Sequence, residues 1–345
     1  MYTQVQSIAF SLTNSIRNAT MPAALPYNVS RDNKWDIKKI IQDFFKRCDV
    51  PYQVIPYDTE LWNACLKRAK EKGYPVEPDS PMSLYRSFKV GVVITRTSYG
   101  HIQDYEILIW VATFTAFVTY ADDAFQEDIQ HLHSFARTFL QNEKHEHPVL
   151  EAFAQFLRES SIRFSHFVAN TVVSSALRFM MSIALEFEGQ NVSVSTEARE
   201  YPGYIRILSG LSDIYALFAF PMDLPRSTYI QAFPEQIDYI NGTNDLLSFY
   251  KEELDCETVN FISAAATSQQ VSKLEVLRNA AEKAAYSYDV VVNVLKPYPE
   301  ALAAWKSFAR GFCYFHTSSP RYRLGEMFHD FEHDLVCKCA SCTEI

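Results

Sequence analysis

Residues 114–128 read FTAFVTYADDAFQED, and the run that they close sets the fold class. From Ile107 to Ala121 the chain is apolar, interrupted by Thr113, Thr115 and Thr119, and it then stops at two adjacent carboxylates, Asp122 and Asp123. A surface helix does not read this way. The pattern predicts a buried helix whose C-terminal end opens onto something that needs negative charge. That end is the negative pole of the helix dipole, so unpaired carboxylates there are repelled until a cation arrives. Glu127 and Asp128 follow; Asp123 and Glu127 share a face at i, i+4, with Asp122 on the adjacent one. Acids leading into a surface loop give the same letters, so this element needs a second one beside it.

The second is NDLLSFYKE, residues 244–252. On a helix, Asn244, Ser248 and Glu252 stand at i, i+4 and i+8 and form a single stripe. An amide oxygen, a hydroxyl and a carboxylate in a row suit a hard divalent cation such as Mg²⁺. Leu246, Leu247 and Phe249 can then face the protein while the stripe faces a cavity. A solvated helix face carries such residues too, but two oxygen-rich helical elements in one chain favour metal binding.

Outward from these stretches the periodicity is helical. Ile37, Ile40, Ile41, Phe44 and Phe45 recur at i, i+3, i+4 spacing. Further helices are expected over about 60–72, 81–98, 104–121, 129–140, 149–159, 161–188, 198–220, 234–255, 261–295, 298–316 and 322–334. No alternating strand pattern, internal repeat or Gly-rich phosphate loop stands out. Gly210 lies inside the stretch 198–220, where it marks either a helix break or close packing against a neighbour. The expectation is an all-α single domain over 1–345, with a loose N-terminal segment at 1–30 and a flexible cysteine-containing tail at 335–345.

Composition agrees. Gly is scarce at 9 residues, 48% of residues are hydrophobic, and there are 25 Phe and 20 Tyr. Most of these aromatics fill a core, and a minority facing a pocket would stabilise cations by about 0.5–2 kcal/mol each. The net charge of −9, with no basic block, argues against nucleic acid as a partner. The N-terminus lacks the basic start and apolar core of a signal peptide. No apolar run is expected to be long and charge-free enough for stable membrane insertion. Seven cysteines without an extracellular pattern fit a reducing cytosol, so the expected location is cytoplasmic. Cys337, Cys339 and Cys342 form a CxCxxC cluster that is either a free tail or, with His333, a zinc site.

Taken together, the acidic DDxxxE stretch followed by NDxxSxxxE resembles the class I terpene cyclases, and NDLLSFYKEE is most similar to the fungal trichodiene synthase family of sesquiterpene cyclases. The resemblance runs from about Tyr85 to Leu324. YPGYIRILSG (201–210) resembles the stretch carrying that family's diphosphate-sensing arginine, which implies Arg206 and tilts Gly210 toward a break. SPRYRL (319–324) resembles its Arg-Tyr pair, Arg321 and Tyr322, and Lys251 matches a diphosphate-contacting lysine. Phe315 stands where the family places a pocket aromatic. One departure concerns the commonest acidic motif, DDxxD: position 126 is Gln, which leaves the last acid's role between Glu127 and Asp128.

The resemblance implies a class I terpenoid synthase bundle around a central apolar cavity. The metal ligands would be Asp122, Asp123, Glu127, Asn244, Ser248 and Glu252, holding three Mg²⁺ ions with bound diphosphate. Arg206, Lys251, Arg321 and Tyr322 would contact the leaving group. The implied substrate is farnesyl diphosphate, and the products are diphosphate and a cyclic hydrocarbon or alcohol; the sequence leaves the oligomeric state open, with a homodimer as one option. Thr115 and Thr119 are further candidates for the pocket, Arg86 is one for the diphosphate, and Trp305, Phe308 and Phe312 read as core. The competing readings are a chain-elongating prenyl diphosphate synthase, which would normally show a second Asp-rich motif, and a helical interaction module without catalysis.

Overall fold

The computed structural model describes residues 31–125, 129–189, 192–257 and 259–328, and every regular element among them is helical. The segment 1–30, Gln126, Glu127 and Asp128, the stretch beyond Phe328, and His333, Cys337, Cys339 and Cys342 lie outside the described residues. In chain order the helices are α1 (Arg31–Arg47), α2 (Thr59–Glu71), α3 (Tyr85–Ser98), α4 (Tyr105–Ala124), α5 (Gln130–Leu140), α6 (Pro148–Arg158), α7 (Ser160–Arg163) and α8 (His166–Gly189). They continue as α9 (Tyr201–Ser209), α10 (Ser212–Phe218), α11 (Phe233–Leu254), α12 (Phe261–Gln269), α13 (Lys273–Leu295), α14 (Pro299–Ser318) and α15 (Gly325–Phe328). A 3₁₀ turn over Pro320–Tyr322 separates the last two.

The acid-tipped apolar run is α4, started by Asp104, whose carboxylate accepts from the backbone N–H groups of Glu106 (2.9 Å) and Ile107 (3.4 Å). It is buried on nearly every face. Trp110 stacks on Phe156 of α6 at 4.4 Å and meets Phe218 of α10 edge-on at 5.3 Å, and Phe117 stacks on Phe153 at 5.0 Å. By length and composition α4 and α8, of 20 and 24 residues, could each cross a membrane. That corrects the expectation that no stretch is long enough. In this fold 72% of the apolar window of α4 and 56% of that of α8 are buried inside the protein.

Three expected helices are interrupted. The stretch 161–188 is two helices, because Phe164 takes an extended backbone and packs edge-on against Trp110 at 4.7 Å. The stretch 261–295 breaks at Gln270, in the left-handed region at φ 56°. Ser272 then caps α13, accepting from the N–H of Glu275 at 3.1 Å. The stretch 198–220 breaks at Gly210 and at Leu211, whose φ is 49°. Instead of one helix over 322–334, the 3₁₀ turn at Pro320–Tyr322 is followed by α15.

Helix α3 fixes where α4 ends, and their crossing is too close for a side chain. A Cβ on Gly91 would meet the Ala112 carbonyl oxygen at 2.2 Å. Gly91→Ala is therefore expected to destabilise by about 1–3 kcal/mol, as overpacking does. Gly203→Ala in α9, whose Cβ meets nothing within 4 Å, should be neutral or stabilising. Thermal melts of the two variants beside the parent check this, and equal Tm values would contradict the close crossing.

Candidate active site

One cavity of about 690 Å³ collects most of the sequence candidates at its mouth and wall. The last turn of α4 brings Asp122 to one side. Arg321, from the 3₁₀ turn, answers it: Nη2 donates to Asp122 Oδ2 at 3.4 Å and to Asp123 Oδ1 at 2.9 Å, and Nη1 donates to Asp123 Oδ2 at 3.1 Å. Arg321 thus places positive charge at the helix's negative pole. Asp123 is exposed and outside the cavity lining, its carboxylate taken by Arg321.

The opposite side is α11. Leu246, Leu247 and Phe249 are buried in the core, while Asn244, Ser248 and Glu252 line the cavity along one stripe. Lys251 also lines it, pairing with Glu257 and, at 3.8 Å, with Asp255. Arg206, on α9, closes the arc. Its Nε forms an ion pair with Asp245 Oδ1 at 2.6 Å, and its Nη2 donates to Asn244 Oδ1 at 3.0 Å and to the Asn241 carbonyl at 3.3 Å. The break after α9 allows this approach, since a Cβ on Gly210 would sit 2.4 Å from Asn241 Oδ1.

Below the polar mouth the lining turns apolar, with Val90, Ile94, Val118, Phe179, Phe312 and Phe315. Thr115 and Thr119 line it as well, and Thr115 Oγ1 lies 3.2 Å from the Tyr215 hydroxyl. Tyr322 is buried beside Phe315, with ring centroids 5.3 Å apart. Phe312 belongs to this wall and not only to the core, whereas Trp305 and Phe308 are packed in the core. Arg86 is exposed and does not line the cavity.

Burial and mutual repulsion lift the acids here. Glu252 is pushed up to about 7 by burial, with Asp245 and Glu257 adding to the rise and the Ser248 hydroxyl opposing it. Asp122 rises to about 6 through burial and its neighbour Asp123, against Arg321. With 49% of its side chain open to solvent, water screens Asp122, so it ionises the more readily of the two. Burial lifts Asp245 to about 6 although Arg206 favours its charge. Sequence reasoning missed Asp245 and also Glu186, near the end of α8. Burial and the charge of Asp122 raise Glu186 to about 7. Its signal was available, for it ends an apolar run as Asp122 does. His316 was missed as well; burial lowers it to about 3, so it stays neutral.

The donor set fits a hard cation. Ser248 Oγ is buried beside Glu252, whose charge its hydroxyl favours, and has no other hydrogen-bond partner. Beside it stand amide and carboxylate oxygens, the ligand types that Mg²⁺ prefers. Among the described residues no three His, Cys, Asp or Glu groups gather in metal-holding geometry. Any ion held here therefore draws on the Asn244 and Ser248 oxygens too.

The sequence profile of trichodiene synthase (TRI5) matches residues 75–336. The chain belongs to the trichodiene synthase family. It is 31% identical over 267 residues to terpene synthase BipA of Cochliobolus sativus, covering 76% of this chain and 81% of that protein. It is 30% identical over 295 residues to monoterpene synthase 25 of Postia placenta, covering 84% and 86%. Among solved structures, the linalool/nerolidol synthase of Streptomyces clavuligerus superposes with a TM-score of 0.57 at 13% identity, covering 77% of this chain and 98% of that one. The all-α terpene synthase fold and a terpene synthase activity of the lyase class follow for this member of the trichodiene synthase family.

The raised acid on α11 has a measurable consequence in chelator. Below about pH 4.5 Glu252 is protonated whether the chain is folded or not. Between about 4.5 and about 7 the folded form holds its proton while the unfolded form loses it, so this stabilising contribution fades as pH rises. Glu252→Gln cannot ionise. In EDTA, its Tm relative to the parent should climb by several degrees from pH 4.5 to 7.5 and then level off. A constant difference across that range would refute the shift.

Proposed function

We propose that this terpene synthase ionises farnesyl diphosphate with Mg²⁺ and closes the resulting cation into a cyclic sesquiterpene. The observation carrying the reading is that the arginines at the mouth are parked on, or directly beside, residues expected to hold metal. Arg321 sits on Asp122 and Asp123, and Arg206 on Asp245 and Asn244. Guanidinium binds carboxylate and phosphate with the same fork geometry, so an arriving diphosphate can take over the arginines and release oxygen ligands on both sides of the mouth.

The chain's own groups then divide the work. Arg206, Lys251 and Arg321 donate charge-assisted hydrogen bonds to the leaving diphosphate, and Tyr322 adds a hydroxyl donor. Mg²⁺, three ions by the family resemblance, supplies Lewis-acid neutralisation of the diphosphate oxygens when bound. Asp122 on one side and Asn244, Ser248 and Glu252 on the other would hold it, with Asp123 freed as a further carboxylate. The apolar floor excludes water from the cation, and the Phe312 and Phe315 rings offer it their negative faces. A volume of about 690 Å³ suits a folded prenyl chain, as it lies within the roughly 300–1,000 Å³ usual for ligand sites.

Asp122→Ala and Asn244→Ala are each expected to slow turnover of farnesyl diphosphate by about 100-fold or more, because each removes support for charge that develops on the leaving group. Gas chromatography with mass spectrometry of the products checks this. Parental rates in both variants would sink the ligand assignment, product from geranyl diphosphate alone would correct the substrate, and a longer diphosphate would make the enzyme an elongating one.

A second expectation concerns binding alone. Mg²⁺ and diphosphate together should raise Tm by more than the sum of their separate effects, through linkage to the folded state. Merely additive shifts in a thermal titration would argue against one shared site.

A further inference from the structure

Only one of the two amide atoms of Asn244 can serve a cation, since the oxygen accepts and the NH₂ donates. Its neighbours decide which atom faces where. The guanidinium of Arg206 carries donors only, and its Nη2 lies 3.0 Å from Asn244 Oδ1. On the far side Asn244 Nδ2 lies 3.1 Å from His316 Nε2. His316 Nδ1 in turn lies 2.8 Å from the carbonyl oxygen of Phe312, which can only accept.

The chain of polarities therefore has a single consistent solution. The imidazole proton sits on Nδ1 and is donated to Phe312, which leaves Nε2 bare as an acceptor for the Asn244 amide. The ring has little freedom to turn away. It is fully buried, with the Tyr322 ring 4.4 Å off and the Phe312 and Phe315 rings each 4.9 Å off.

We propose that His316 is a positioning residue. As the neutral Nδ1–H tautomer it holds the Asn244 amide with its oxygen toward the cavity mouth, ready for a divalent cation once Arg206 turns to diphosphate. The inference rests on the reading of Asn244 as a metal ligand. Without the acceptor at Nε2 the amide is free to flip and present its NH₂, which repels a cation. His316 thus does for an asparagine what carbonyl and carboxylate partners do for metal-binding histidines, where loss of the partner weakens metal binding about 10- to 100-fold.

Two measurements test this. In full-length protein labelled with ¹⁵N-histidine, long-range ¹H–¹⁵N spectra report the tautomer directly, with the His316 signal assigned by its loss in His316→Gln. An Nδ1–H pattern is expected; an Nε2–H tautomer or an imidazolium overturns the proposal with no variant that must fold. In calorimetric titrations with Mg²⁺ and inorganic diphosphate, His316→Phe should bind about 10-fold or more weakly. His316→Gln, whose side-chain oxygen can stand in for Nε2, should stay near the parent, and metal-free melts of each variant control for folding. Parental affinity in His316→Phe, or a loss in His316→Gln as large as in His316→Phe, overturns the proposal. If Asn244→Ala leaves affinity unchanged, the ligand reading fails and takes the inference with it. An impaired Asn244→Ala beside a parental His316→Phe overturns the inference alone.

Discussion

At the mouth of the cavity acidic residues on two different helices are held close to one another, and arginine makes that arrangement tolerable. Asp122 and Asp123 share Arg321, while Asp245 pairs with Arg206 at 2.6 Å. Without these partners, carboxylates at the end of α4 would face both the helix's own negative pole and the acids of α11. Breaking a buried pair from one side leaves an uncompensated charge, which is far worse than never having built it. Arginine thus offsets part of the negative charge of the mouth, and admitting a diphosphate becomes an exchange of partners for Arg321 and Arg206.

Such an exchange needs walls that stay put, and the packing supplies them. The aromatic cluster around Trp110 fixes α4 against α6 and α10. The close passage of α3 at Gly91 sets its depth. On the other side, the break between α9 and α10 brings Arg206 within reach of α11. Across the chain's matches, a terpene synthase scaffold persists at 13% identity to a solved structure.

Much of this was legible from the chain alone, because it rests on short-range periodicity. The apolar run ending at Asp122, and the stripe of Asn244, Ser248 and Glu252, need only the helical repeat to be seen. Features set by distant partners were not legible. Phe164 breaks a helix because Trp110 and Phe218 wait to receive it, and neither is near in sequence. Phe312 read as core and proved to line the cavity, since which face of α14 meets α11 is decided in three dimensions. His316 looked like one more residue on an aromatic helix until its two nitrogens could be traced to Phe312 and Asn244. The capping serine at 272 and the acid at 186 were readable and simply passed over.

Leu211 links backbone geometry to chamber shape at a single position. It is a buried branched residue in a left-handed conformation at φ 49°, and it also lines the cavity. Holding a non-glycine residue there costs about 1–3 kcal/mol. Glycine would relax the junction but would delete an isobutyl group from the chamber wall and enlarge the space in which a prenyl chain coils. Comfort of the main chain and tightness of the mould therefore pull in opposite directions at residue 211.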